Sequence, residues 1–269
     1  MSQRVPVVAM VLISLSPACV AQPLVEALTV IRNQAEVMQA CTADRLCAEV
    51  SPWAPGCEGQ ACETGLPHRG GWTLRLSVSQ NDPAHTTYGL EGLASGDYDP
   101  SFSLWPSLIR FEGGVLAGVE THATAMYSGG GANSTTLHLI AFLPGQLPFE
   151  VLSVAYSANV MIRACFSERD LKHRAGACHD LYSFDATIIP EEAVAGGMPL
   201  LHYRSEATSF PGPVSRSRDS RDGKPLRKGD LVEATDPQCS YYRLYRFDPE
   251  ARGYLPDAPL PDCSDYTEP

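Results

Sequence analysis

Val115-Leu116-Ala117-Gly118-Val119-Glu120-Thr121-His122-Ala123-Thr124-Ala125-Met126-Tyr127 and, after Ser128-Gly129-Gly130-Gly131-Ala132-Asn133-Ser134, Thr135-Thr136-Leu137-His138-Leu139-Ile140-Ala141-Phe142-Leu143 are the two runs on which the fold turns. Each is rich in β-branched and apolar residues and carries apolar residues at alternate positions, the period of a strand. The glycine-rich segment between them suits a loop, because glycine reaches positive φ without steric cost. Two strands and a loop predict an antiparallel hairpin. Val115, Ala117, Val119 and Ala125 in the first run, and Leu137, Leu139, Ala141 and Leu143 in the second, all stand at odd positions, so the odd face is expected to be buried. Glu120, His122 and His138 then share the opposite face.

The same alternation continues on both sides. Trp72-Thr73-Leu74-Arg75-Leu76-Ser77-Val78 alternates and stops at Asn81-Asp82-Pro83, a turn signal. Further strands are expected at Glu150–Tyr156, Val160–Phe166 and Leu181–Ile189, with Ser167–Ala177 as a polar loop. Residues 211–229 mix charges with prolines and predict an exposed, mobile loop. Leu231–Thr235, Tyr241–Phe247 and Tyr254-Leu255 read as a strand, a second strand and its return. No fixed-period repeat is present, which argues against a solenoid or propeller. The expected fold is mainly β: an antiparallel sandwich or barrel-like domain over residues 72–269. Before it, Leu24, Leu28, Ile31, Ala35 and Met38 fall at three- and four-residue steps, which predicts a short N-terminal helix. Residues 41–71 carry four cysteines with several prolines and glycines. They predict an irregular cross-linked segment, so that residues 22–71 form a helix plus a cysteine-rich stretch.

The first residues, with Arg4, an apolar run from Val5 to Leu15, Pro17 and a small-residue end at Cys19-Val20-Ala21, follow the three-part pattern of a secretory signal peptide cleaved after Ala21. The apolar run is shorter than the ~20 residues of a membrane span. Nine cysteines become eight when Cys19 leaves with the signal, and an even number suits an oxidising compartment. Pairing neighbours joins Cys41 with Cys47, Cys57 with Cys62, Cys165 with Cys178 and Cys239 with Cys263. Neither early pair has zinc-knuckle spacing. The expected location is periplasmic or secreted. The chain is acidic, with 20 basic against 31 acidic residues and a formal net charge of −11. Such a surface repels phosphate backbones and anionic headgroups, so nucleic acid is not an expected partner.

Recognisable catalytic motifs are absent from the sequence. There is no GxSxG, HExxH, phosphate loop or dinucleotide fingerprint, and Gly129-Gly130-Gly131 precedes a strand where a phosphate site needs a helix. No cofactor is expected. Two imidazoles and a carboxylate on one sheet face are competent to bind zinc, so Glu120, His122 and His138 are the candidate metal ligands. Cys178-His179-Asp180 is a Cys/His/acid run, but consecutive strand residues point to alternate faces, which spoils the geometry of a nucleophile and its base. Tyr241, Arg243 and Tyr245 share one side of a strand and are residues that recognition surfaces use. Leu244, on the other side, suggests that its own side packs on the core and leaves the tyrosines as a partner site. A half-buried terminal hairpin with both sides covered is the commoner outcome for such a strand. These features point first to a non-enzymatic binding or interaction protein for another protein or a small ligand. An exported hydrolase, metal-dependent or carboxylate-based, and a structural envelope protein are the alternatives.

Overall fold

The computed structural model describes residues 24–34, 37–52, 72–77, 86–90, 101–191, 197–220 and 222–269. The signal segment lies outside the described residues. The strands run in order as β1 (Leu24–Ala27), β2 (Thr29–Gln34), β3 (Val37–Cys41), β4 (Cys47–Pro52), β5 (Trp72–Ser77), β6 (Thr86–Leu90), β7 (Ser101–Phe111) and β8 (Gly114–Tyr127). They continue as β9 (Gly130–Phe142), β10 (Phe149–Arg163), β11 (His179–Glu191), β12 (Leu200–Phe210), β13 (Ala234–Thr235), β14 (Tyr242–Asp248) and β15 (Gly253–Pro256). Among the described residues two short α-helices accompany them, α1 (Glu168–His173) between β10 and β11 and α2 (Ser264–Thr267) after β15. The protein is mainly β, and every strand pair is antiparallel.

Two sheets form. The larger has the order β1-β7-β8-β9-β10-β11-β12-β14-β15, with β13 on β12, and the smaller the order β2-β3-β4-β5-β6. The smaller sheet runs across residue 72, because β4 and β5 pair from Cys47↔Ser77 to Pro52↔Trp72. Its apolar face (Ala40, Ala48, Val50, Trp72, Leu74 and Leu76) packs on Leu104, Leu108, Ala117, Val119, Ile140 and Phe142 of the larger sheet. This is a sandwich contact, driven by removing both apolar faces from water. A second core gathers Leu137, Leu139, Val154, Phe184, Tyr203, Tyr245 and Tyr254. In it the larger sheet curls until β15 touches β10. Register shifts in β10 at Glu150/Leu152 and Ala155/Ser157 supply bends of the kind that curling requires.

The helix expected over residues 24–40 does not form; β1, β2 and β3 occupy the segment. Val25, Thr29, Val30, Ile31 and Val37 are β-branched, which stiffens χ1 and favours strands. Of the four expected cysteine pairs, three are bridged. A Cys41–Cys47 bridge closes the turn between β3 and β4 and holds them as a hairpin. Cys165 is joined to Cys178, and Cys239 to Cys263. The fourth expected pair, Cys57 with Cys62, lies outside the described residues. Arg110 of β7 ties the layers together, bonding Glu26 at 2.8 Å on β1 and Asp44 at 3.0 Å in the β3–β4 turn.

The 211–229 segment is irregular, and it is anchored. Arg216 donates to the carbonyls of Asp265 (3.0 Å) and Glu268 (2.8 Å) beside α2. The Leu226 amide donates to the His173 carbonyl at 2.8 Å. Ser220 donates to Asp180, which is itself ion-paired with the buried Arg174. Among the described residues no helix is long and apolar enough to cross a membrane.

Candidate functional site

The hairpin of β8 and β9 does not bring the three expected metal ligands together. The turn is only Ser128-Gly129, and Tyr127 pairs directly with Gly130. Residues 130–134, expected as loop, are strand. This is enforced at Gly130, where a Cβ would stand 1.8 Å from the Met161 carbonyl oxygen, so only glycine lets β10 approach. Pairing across a two-residue turn sets odd positions of β8 opposite even positions of β9. His138 is therefore opposite Val119 and on its face, while Glu120 and His122 point the other way. The same register corrects the burial pattern. Ala117 and Val119 pack under the smaller sheet, and the odd residues Leu137 and Leu139 are buried on the opposite face. No group of three His, Cys, Asp or Glu side chains arranged to hold a metal exists among the described residues.

His138 is a core histidine. Its Nε2 meets Thr121 Oγ1 at 3.1 Å, its Nδ1 meets Glu150 Oε2 at 3.2 Å, and its ring lies 5.9 Å from that of Trp72. Both nitrogens are occupied, as burial demands. On the other face Ser103 joins Glu120 and His122. Ser103 Oγ donates to Glu120 Oε2 at 3.2 Å and lies 2.9 Å from His122 Nε2, whose Nδ1 is 3.1 Å from Thr135 Oγ1. With the serine proton directed at Glu120, Nε2 must donate to Ser103, and a neutral imidazole then accepts from Thr135 at Nδ1. Burial supports this by lowering the His122 pKa, and it raises that of Glu120 against the Ser103 bond. Ser103 therefore has both a carboxylate and an imidazole within hydrogen-bond reach of its hydroxyl. Sequence reading missed Ser103; its signal was the Ser101-Phe102-Ser103-Leu104 alternation.

Tyr241, Arg243 and Tyr245 face inward, contrary to the outward orientation read from Leu244. Tyr245 pairs with Leu201 and is buried, its ring 6.0 Å from that of Tyr203. Tyr241 packs on Tyr203 at 5.8 Å. Arg243 covers Tyr241 at 5.1 Å and donates to the Pro259 carbonyl at 2.7 Å. Burial raises the pKa of Tyr241 and pushes that of Tyr245 up to about 12. Outside, Tyr242 reaches His202, whose Nε2 is 2.5 Å from Glu191.

An exposed constellation lies on the face that carries His122. Three transverse rows cross β8, β9, β10, β11 and β12, each built from directly paired residues. One is apolar, Met126–Gly131–Met161–Leu181–Phe210. The next is neutral and polar, Thr124–Asn133–Asn159–Ser183–Thr208. The third turns acidic, His122–Thr135–Ser157–Asp185–Glu206. Met126 is 81% exposed, Met161 43% and Leu181 42%. Thr124, Asn133, Asn159, Asp185 and Glu206 are exposed as well. A shallow cavity of ≈ 540 Å³ lies over the first two rows, with Glu233 at its end, bonded to Thr208 at 2.8 Å. Comparison with family models, with curated proteins and with solved structures finds no match to this chain.

Proposed function

We propose that this is an exported binding protein that engages a polypeptide partner through the open face of β8–β12. The observation that carries the reading is the set of three rows, apolar, neutral and acidic, held in register by five consecutive strands and exposed among the described residues. A rigid sheet presents such groups at fixed spacing, so little ordering entropy is lost when a partner docks. Thioether side chains at the lip adapt to the shape of what they meet. The signal-like first residues, three bridged cysteine pairs and the anchored C-terminal segment support work in an oxidising compartment. Of the alternatives, the metal-dependent form of the hydrolase reading is the less favoured, because His138 stands on the face opposite Glu120 and His122.

The test is a binding screen of the oxidised full chain against arrayed peptides, folded proteins and glycans, repeated with Asn159→Arg. Asn159 is an exposed residue in the middle row, so the long charged side chain covers the face without touching a core. Ligands should be lost from the variant. Ligands that bind both forms equally would place recognition elsewhere. Export is tested separately, by N-terminal sequencing of the secreted chain, which should begin at Gln22.

A further inference from the structure

The chemistry and spacing of the three rows select among partners. Resting on the binding reading above, we propose that the occupant is a cationic amphipathic helix lying across the strands, its apolar side on the Met126–Met161–Leu181–Phe210 row and its basic side over Asp185 and Glu206.

Side chains two residues apart on one strand face are separated by ~6.7 Å, so the apolar and acidic rows lie ~13 Å apart. A helix with its side chains is about 10–12 Å across, which lets one helix reach both rows while its flank covers the neutral row. Five strands at ~4.8 Å spacing give a row about 19 Å long, matching a helix of ~13 residues. An extended strand laid the same way would be too narrow to reach both rows.

Charge favours the same occupant. The three rows hold Asp185 and Glu206, with Glu233 at the end of the cavity, and contain no lysine or arginine. None of these three carboxylates forms an ion pair among the described residues. Asp185 and Glu206 are directly paired across β11 and β12, an arrangement of like charges that costs stability and that a basic ligand relieves. Arg204 stands one row further on, opposite Thr187, and is not paired with Glu206. The whole chain, at −11, attracts the same ligand from a distance. The apolar row has the character of surfaces that take amphipathic helices. Met126 lays its sulfur over Gly131, where a Cβ would meet it at 2.9 Å, so the glycine lets one adaptable thioether lie flat along the row beside Met161.

The experiment is fluorescence anisotropy of the oxidised full chain with a labelled amphipathic Leu/Lys helical peptide. Its comparators are a scrambled sequence of the same composition, a version with Glu for Lys, and a panel of neutral oligosaccharides. Asp185→Asn/Glu206→Gln and Met161→Gln/Leu181→Gln change exposed side chains only, and unchanged melting curves verify the fold. The amphipathic peptide should bind, weaken as salt rises, and lose at least tenfold in affinity with either double variant. The scrambled and acidic peptides should bind far more weakly. Equal binding of the scrambled peptide, indifference to both double variants, or no binding of the amphipathic peptide overturns the proposal. If an oligosaccharide or a folded protein binds instead and is lost in Asn159→Arg, the helix is wrong and the face is still the site. Ligands insensitive to Asn159→Arg defeat both readings.

Discussion

His138 stands directly across from Val119 on paired strands, and its ring is held between Thr121, Glu150 and Trp72 beneath the smaller sheet. Both ring nitrogens are used inside the protein, so the residue acts through packing and hydrogen bonds. His138→Ala removes them together and takes a partner from each of Thr121 and Glu150 in a part-buried site. A loss of about 2–3 kcal/mol is expected in chemical denaturation. Chelator should leave the melting temperature of the wild type unchanged, and a drop would mean that a metal reaches this residue.

His122 gives a pH dependence with a definite sign. Its pKa is lowered in the folded chain by burial, so the unfolded chain takes up the proton first as pH falls. Stability from this group is present above the ordinary histidine pKa of 6.5 and is lost as pH falls through the lowered value. Glu120 has the opposite sign. Its pKa is raised by burial, so its contribution is present below the ordinary 4.5 and lost as pH rises through the raised value. Between these limits the two oppose each other. His122→Gln should therefore lose less stability than wild type on going from about pH 7.5 to about pH 5.5, read as the shift in urea midpoint. A parallel decline in both proteins would show that His122 is not the group that titrates.

Tyr245 carries a buried hydroxyl with no hydrogen-bond partner, as does Tyr182, among the described residues. An unpaired buried hydroxyl costs about 1–3 kcal/mol, while the ring itself fills the core against Tyr203. Tyr245→Phe keeps the ring and removes the cost, so its melting temperature should equal or exceed that of wild type. A clear fall would reveal an ordered water on that oxygen.

Much of this architecture is local and was legible in the residues. Cys165 and Cys178 flank one polar loop, and Cys239 and Cys263 one returning hairpin, so neighbour pairing was the economical reading and the bridges form. The alternation of Trp72–Ser77 and Val115–Tyr127 made strands of them for the same local reason. What failed depends on contacts distant in sequence. Whether Gly130 and Gly131 belong to a loop or a strand is decided by Met161 on the neighbouring strand. Which side of β14 is buried is decided by Leu201 and Tyr203, which the alternation around Leu244 cannot announce. Residues 24–38 have helical spacing and β-branched chemistry together, and pairing with β4 and β7 settles the conflict. The three rows of the open face were invisible because each is assembled from five strands, one residue apiece.

Arg174 and Asp180 form the most buried ion pair among the described residues, with side chains 2% and 3% exposed. Arg174 also donates through Nε to the Ala177 carbonyl at 2.8 Å, and Ser220 brings the 211–229 segment onto the second carboxylate oxygen. Two charges taken out of water this completely are tolerated only together. Arg174→Met leaves the Asp180 carboxylate buried without its countercharge, and a loss of about 3–5 kcal/mol is expected. Ser220→Ala removes one bond to a charged group and should cost roughly 1.5–3 kcal/mol. Asp180→Asn with Arg174→Met removes both charges and should recover much of what the single arginine change loses. The pairing is therefore read from the coupling in a double-mutant cycle, by denaturant midpoint. The same cycle has a local readout, because Ser220 fastens the charged segment to Asp180. Amide exchange near residues 218–226 should quicken in Ser220→Ala while exchange in β8 and β9 stays unchanged. Slow exchange in that segment despite the loss of Ser220 would assign its anchoring to Arg216 and Leu226 alone.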